Sequence, residues 1–305
     1  IGEFKKKYKH CKHIGNEYFE GDYKQMIEDV KILHTANEPK VPKKIHPTDK
    51  IYLFSFNPNL LKQPLNPDIY KIIDNQNVFF VTITSKLEDL KDCQVIIDAL
   101  PDDLNLKSEM LSQLNHLCPP QSVFTTTSSI FPITSLAAAS GRPEHFIGTH
   151  FCIPAHMMAL VEVAPALQTN QETVSLTTEF CKHLGKVPVK CKDKPGFIVN
   201  YLFFPYLLSA VKALEDGLGT VEEIDTAMKL GLGHPMGPFE LLDMTGIDNV
   251  DSFEAIYQQL KDERFAPPPL LYRMKAAGYL GKLKGRGFYD YSQKDKNGSP
   301  KPMSF

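Results

Sequence analysis

Between Gly21 and Gly141 the chain contains no glycine. Residues 22 to 140 therefore offer no position that reaches positive φ without strain, and any turn that hugs a phosphate in that span must use residues poorly suited to it. Other absences narrow the class. No apolar run approaches the roughly 18 residues needed to span a bilayer, and residues 1 to 15 lack the apolar core of a secretory signal. Neither sign of charge dominates: the formal net charge is -2, which leaves no electrostatic footprint for nucleic acid. The run KKKYKHCKH near the start reads as solvated surface. Cys11, Cys93, Cys118, Cys152, Cys181 and Cys191 show no C-x-x-C spacing. That argues against a zinc cluster or a disulfide framework and for reduced thiols in an intracellular compartment; no metal site is expected.

What is present is a chain of 305 residues with 42% hydrophobic content, enough for a sizeable core and two domains. Residues 1–50 are polar and lysine-rich, with a helical arm expected around GDYKQMIEDVKILH and a linker at EPKVPKKIHP. From residue 51 the pattern alternates: IYLFSF, a turn, DIYKIID, VFFVTIT, QVIIDAL, a helix with Leu106, Met110, Leu111 and Leu114 on one face, and VFTTT. Asp102 or Asp103 is placed to cap that helix. Alternation of this kind predicts a mostly parallel sheet covered by helices. HFCI and ALVEV follow as strands, then a helix with Thr169 and Glu172 as capping box and Gly185 at its end, then VPVKC. KDKPG marks a boundary near 192–195. Beyond it come a long apolar helix from about Phe197, a helix opened by Thr220 and Glu223, further short helices, and a terminal SQKDKNGSPKPMSF that reads as a loose tail.

The fold class expected is α/β: a truncated or degenerate Rossmann-like doubly wound sheet followed by an all-α C-terminal domain. The divisions are 1–50 arm and linker, 51–193 Rossmann-like domain, 194–291 helical domain and 292–305 tail.

His150 stands on the strand HFCI and Glu162 twelve residues on, inside ALVEV. Neighbouring strands joined by a short connection bring such residues side by side, so that the carboxylate fixes the imidazole tautomer and stabilises the imidazolium of a general base. On spacing alone a structural histidine and glutamate are the commoner case. Ser128 and Ser129 end the strand VFTTT, at the edge where parallel sheets bind ligands, and Asn200 falls in the first turn of the long helix; caps and turns are the plain readings of these.

The runs TSSIFPITSLAAASGRPEHFIGTHFCIPAHMMALVEV, CKDKPGFIVNYLFFPYLLSAVKALEDG, IDTAMKLGLGHPMGPFELLDMTGID and GRGFYDY, in that order, resemble the 3-hydroxyacyl-CoA dehydrogenase family over about 95 to 291, most of all its mitochondrial short-chain branch. The resemblance implies NAD-dependent oxidation of a 3-hydroxyacyl-CoA to the 3-ketoacyl-CoA. It implies His150 as general base with Glu162 its carboxylate partner, Ser128 near substrate and cofactor, Asn200 as the active-site asparagine, and Asp102 and Lys107 beside the cofactor. If no cofactor is bound, Asp102 reads as a helix start and Lys107 as an exposed helix face.

The chain departs from the family at functional positions. HFCIP puts Ile153 where the family has asparagine, an apolar side chain that makes no hydrogen bond. Tyr201 replaces an arginine after Asn200, and SSIFPITSL carries one extra residue, leaving Ser128 and Ser129 both open as the site serine. The G-x-G-x-x-G loop is missing: only IYLFSF can serve as first strand, and NPNLLKQP follows it, where two prolines remove donors. Losing even three charge-assisted hydrogen bonds at about 1.5–3 kcal/mol each weakens dinucleotide binding by orders of magnitude. The expectation is a dehydrogenase descendant without NAD, acting as a structural or interaction subunit of a mitochondrial assembly such as a respiratory complex. It pairs as a homodimer or with other subunits through the helical domain and N-terminal arm. One alternative is an active NAD-dependent enzyme of the matrix using His150 and Glu162; a second is an acyl-CoA binding protein in which Lys107 meets a CoA phosphate.

Overall fold

The computed structural model describes residues 87–153, 155, 158–294 and 298–305, together with strand pairings at 12–14, 18–20, 52–54, 70–74 and 77–81. The helical arm expected near residues 21–34 and the turn NPNLLKQP lie outside the described residues. The described residues divide into two compact units, the first ending at Phe197 and the second running from Ile198 to Phe305.

The first unit is built on a six-stranded sheet. Short strands β1 (Lys12–Ile14) and β2 (Tyr18–Glu20) pair with each other. β3 (Tyr52–Phe54), the described part of IYLFSF, joins the edge of the main sheet, parallel to β6 (Val95–Asp98) of QVIIDAL. VFFVTIT departs from expectation. Its Asn77–Val81 (β5) pairs antiparallel with Tyr70–Asp74 (β4) in a separate two-stranded sheet. Only residues 75 and 76 separate the two, and a parallel neighbour needs a crossover of about a dozen residues, so the chain folds back on itself.

Beyond β6 the sheet continues through β7 (Val123–Thr126), β8 (Phe146–Phe151), β9 (Leu160–Pro165) and β10 (Val187–Lys190). All neighbours are parallel except β8 and β9, which run antiparallel. Helices α1 (Leu104–Leu117), α2 (Ile133–Ala139) and α3 (Gln171–His183) connect them. Alternate strand residues feed opposite faces: Ile96, Phe124, Phe146 and Ala164 pack with Leu111 and Leu114 of α1 and Leu136 of α2. Ile97, Val123, Ile147 and Val161 pack with Val174 and Phe180 of α3. A sheet buried on both faces accounts for the near-continuous apolar runs.

The helix ends explain much of the local sequence. Asp103, not Asp102, caps α1, accepting from Asn105 N at 2.9 Å and Leu106 N at 3.0 Å, and α1 stops before Pro119, which disfavours a helical residue ahead of it. The capping box expected at Thr169 is corrected: Asn170 caps α3, accepting from Thr173 N at 2.7 Å. Thr169 is unavailable because its hydroxyl is committed to the Phe146 carbonyl and the Ala166 amide.

The second unit contains α4 (Val199–Glu215), α5 (Val221–Leu232), α6 (Pro238–Thr245), α7 (Val250–Leu260) and α8 (Pro269–Ala276). The capping box of Thr220 and Glu223 opens α5. Two buried carboxylates organise the rest. Asp225 accepts from Phe239 N and Glu240 N at the start of α6 and from the Tyr289 hydroxyl. Asp243 accepts from Phe288 N, Tyr289 N and the Tyr291 hydroxyl. Gly237 and Gly287 stand where a Cβ would lie within 2.2 Å and 2.0 Å of those carboxylates, so both must be glycine. The described part of the tail expected to be loose is held: β11 (Tyr289–Lys294) and β12 (Pro300–Pro302) form an antiparallel pair, and Met303 N donates to Phe288 O. Among the described residues no helix is long and apolar enough to cross a membrane.

Candidate active site

His150 and Glu162 face each other directly across the antiparallel β8–β9 ladder. Side chains at paired positions share one face of the sheet, so the spacing in sequence becomes a contact: His150 Nδ1 lies 2.6 Å from Glu162 Oε2. The Glu162 side chain is 0% exposed and that of His150 13%. A carboxylate so placed accepts a hydrogen bond from Nδ1–H, which fixes the tautomer and leaves Nε2 as the unprotonated ring nitrogen. Two neighbouring thiols register the environment. Burial first and the Glu162 charge second push the Cys152 thiol up; burial, then Glu162 and Asp193, push Cys191 up to about 12. Neither thiol has the lowered pKa that marks a reactive cysteine.

The wall beside the histidine was not legible beforehand. Phe197 is 5% exposed, and its ring centroid lies 5.9 Å from that of His150, at 57°. Its φ is 46°, the left-handed region, which costs a non-glycine residue about 1–2 kcal/mol. Gly196 before it has φ 84° and donates to Ser129 O at 2.7 Å. Asp193 caps α2 from a distance, accepting from Ile133 N, Thr134 N and the Thr134 hydroxyl at 2.6–2.8 Å. These ties carry the first unit through Phe197, where the composition shift in KDKPG places the division slightly earlier.

Ser128 lies two residues beyond the end of β7, buried, and donates to Asp102 Oδ1 at 2.6 Å. Ser129 is also buried, and its carbonyl is taken by Gly196. Asp102 is exposed at the C-terminal edge of the sheet. Lys107 corrects an expectation. Its side chain is 0% exposed, and its ammonium donates to both oxygens of Asp98 at 3.2 and 3.0 Å and to Leu100 O at 2.8 Å. Asp98 also accepts from Leu100 N and the Thr126 hydroxyl. All three ammonium protons are used inside the fold, so Lys107 is neither an exposed helix residue nor available to a CoA phosphate. Asp98, at the end of QVIIDAL, is the residue that sequence reading passed over; an acid following a buried apolar run was the available signal.

The loop after β8 is held by Lys186, which donates to Ala155 O and Met158 O at 2.5 and 2.9 Å; burial lowers its pKa. Ile153 is 56% exposed there. Asn200 lies in the first turn of α4, in the second unit. Tyr201 receives a hydrogen bond from Arg264 Nη2 at 2.8 Å and packs on Phe265.

The structure brings His150 and Glu162 into contact, an arrangement that can move a proton, and puts the Ser128–Asp102 pair beyond the neighbouring strands β7 and β6. Comparison with known proteins agrees in kind. The sequence profile described as "3-hydroxyacyl-CoA dehydrogenase, NAD binding domain" matches residues 71–194, and that of "3-hydroxyacyl-CoA dehydrogenase, C-terminal domain" matches 196–291. The chain is 41% identical over 212 residues to the "Probable 3-hydroxybutyryl-CoA dehydrogenase" of Deinococcus radiodurans, covering 69% of this chain and 76% of that protein. It is 43% identical over 199 residues to the "Hydroxyacyl-coenzyme A dehydrogenase, mitochondrial" of Mus musculus, covering 65% and 63%. Among solved structures, (S)-3-hydroxybutyryl-CoA dehydrogenase from Ralstonia eutropha superposes with TM-score 0.67 at 38% identity, over 70% of this chain and 76% of that one.

Proposed function

The chain belongs to the 3-hydroxyacyl-CoA dehydrogenase family, and from that premise we propose that it interconverts 3-hydroxyacyl-CoA and 3-ketoacyl-CoA thioesters, with His150 as proton acceptor. The observation that carries this is the 2.6 Å contact between His150 Nδ1 and the buried Glu162. His150 Nε2 takes the proton of the 3-hydroxyl; the imidazolium formed keeps its proton on Nδ1 and donates that N–H to Glu162, whose negative charge stabilises it. In the reverse direction the same nitrogen returns the proton to the carbonyl oxygen. Ser128, anchored by Asp102, offers a fixed hydroxyl near the same sheet edge.

NAD supplies the hydride acceptor when bound. An exposed carboxylate at Asp102 beside a buried serine is a donor set that suits the nicotinamide-ribose half, since a carboxylate accepts from sugar hydroxyls. The pyrophosphate half finds no glycine anywhere in residues 22–140, so the affinity expected is weaker than a glycine loop gives. The mouse relative, whose name places it in mitochondria, supports a mitochondrial location. Exposed Leu202, Leu218, Leu230 and Leu232 support pairing of the helical unit with a second copy or another subunit.

A second reading keeps the dyad but not the chemistry: a descendant serving as a structural or interaction subunit. The glycine-free span and Ile153 in place of asparagine favour it. Isothermal titration with NADH separates the two. Binding at micromolar to low millimolar concentration supports the enzyme; no heat of binding, with the protein folded, supports the subunit.

A further inference from the structure

We propose that Phe197 is a positioning residue for His150, an inference that rests on the reading of His150 as proton acceptor. Among described residues other than glycine, positive φ occurs at Phe197 and Lys261. Lys261 ends a surface helix, whereas Phe197 is buried in the core of the first unit. A bulky side chain held in a strained backbone state persists where its surroundings over-determine it. Here the surroundings are visible: Asp193 fastened to α2, Phe197 N bonded to Lys194 O at 2.9 Å, and Gly196 N bonded to Ser129 O. Glycine at 197 would relieve the φ, yet the chain places an aromatic ring there, 5.9 Å from the imidazole.

Glu162 restrains His150 at a single nitrogen. One hydrogen bond fixes where Nδ1 lies but lets the ring tilt about that contact, which swings Nε2 across the site. The Phe197 ring, tilted by 57° to the imidazole, limits that tilt and covers one side of the histidine from water. Because Phe197 closes the segment that begins at Asp193 and passes Ser129, the same strained turn ties the orientation of the base to the serine loop.

The test uses the full-length protein with Phe197→Leu, which keeps apolar bulk, and Phe197→Tyr, which keeps the ring. Folding is checked by thermal melt, and Phe197→Met replaces the leucine variant if that does not fold. The direct readout is the NMR spectrum of the His150 imidazole, assigned by its loss in His150→Ala. The leucine variant is expected to shift the His150 nitrogen signals toward the tautomer average, a change far larger than loss of the Phe197 ring current causes, while Phe197→Tyr keeps them. Turnover should follow, with kcat down about tenfold, KM for acyl-CoA changed less than about twofold, and activity restored by tyrosine. His150 nitrogen signals in Phe197→Leu that coincide with those of the unmutated protein overturn the proposal. Nitrogen signals moved toward the tautomer average in a protein that turns nothing over uphold the positioning role and remove the functional reading alone.

Discussion

Glu162 stands opposite His150 on the neighbouring antiparallel strand, with Oε2 2.6 Å from Nδ1 and no exposure to solvent. A glutamine at 162 fills the same space but carries no charge to stabilise the imidazolium. Glu162→Gln should lower kcat roughly 100-fold or more, with a much smaller change in KM and a thermal melt within a few degrees of the unmutated protein. Steady-state kinetics at several substrate concentrations make the check.

Lys107 and Asp98 form a buried pair whose removal on one side strands a charge. Lys107→Ala should cost about 3–5 kcal/mol in urea unfolding, because Asp98 is left buried without its cation. The double variant Lys107→Met with Asp98→Asn should regain much of that loss. Equal destabilisation by both would show that the pair is not the cause.

Asp193 reaches across the first unit to cap α2, where Pro132 supplies no side-chain cap. Asp193→Ala should cost about 1–2 kcal/mol and speed hydrogen exchange at the Ile133 and Thr134 amides, while Asp193→Asn loses less.

Much of the site was legible in the sequence because period-two strands joined by a short connection force His150 and Glu162 into register. The helix caps at Asp103 and Thr220 were legible for a similar reason: they depend on residues within one turn. What escaped depends on contacts far apart in sequence. Lys107 reads as a surface residue until Asp98 and the Leu100 carbonyl are seen beside it. Phe197 gives no hint of a left-handed backbone, and the Gly196 before it hints only at a turn. Tyr70–Asp74 and Asn77–Val81 alternate as strands of the main sheet would; the length of the link between them decides that they pair with each other.

Burial raises the Asp243 carboxyl to about 6 against opposing hydrogen bonds from Phe288, Tyr289 and Tyr291, and Asp225 is raised too. A carboxyl with a folded pKa above its unfolded value binds more protons when folded. Its stabilising contribution is therefore complete below pH about 4 and lost as pH rises through about 6, on the order of 3 kcal/mol. Asp243→Asn should be less stable overall yet show a flatter dependence of unfolding free energy on pH between about 4 and 6. Urea titrations across that range decide it; an unchanged slope would assign the dependence to other groups.

The most direct test of the central claim is the rate at which the purified chain oxidises NADH with acetoacetyl-CoA, measured beside His150→Ala at saturating NADH. Turnover that falls at least 100-fold in the variant, with both proteins folded, is the result predicted. No turnover by the folded, unmutated protein, or equal rates from both, would contradict it.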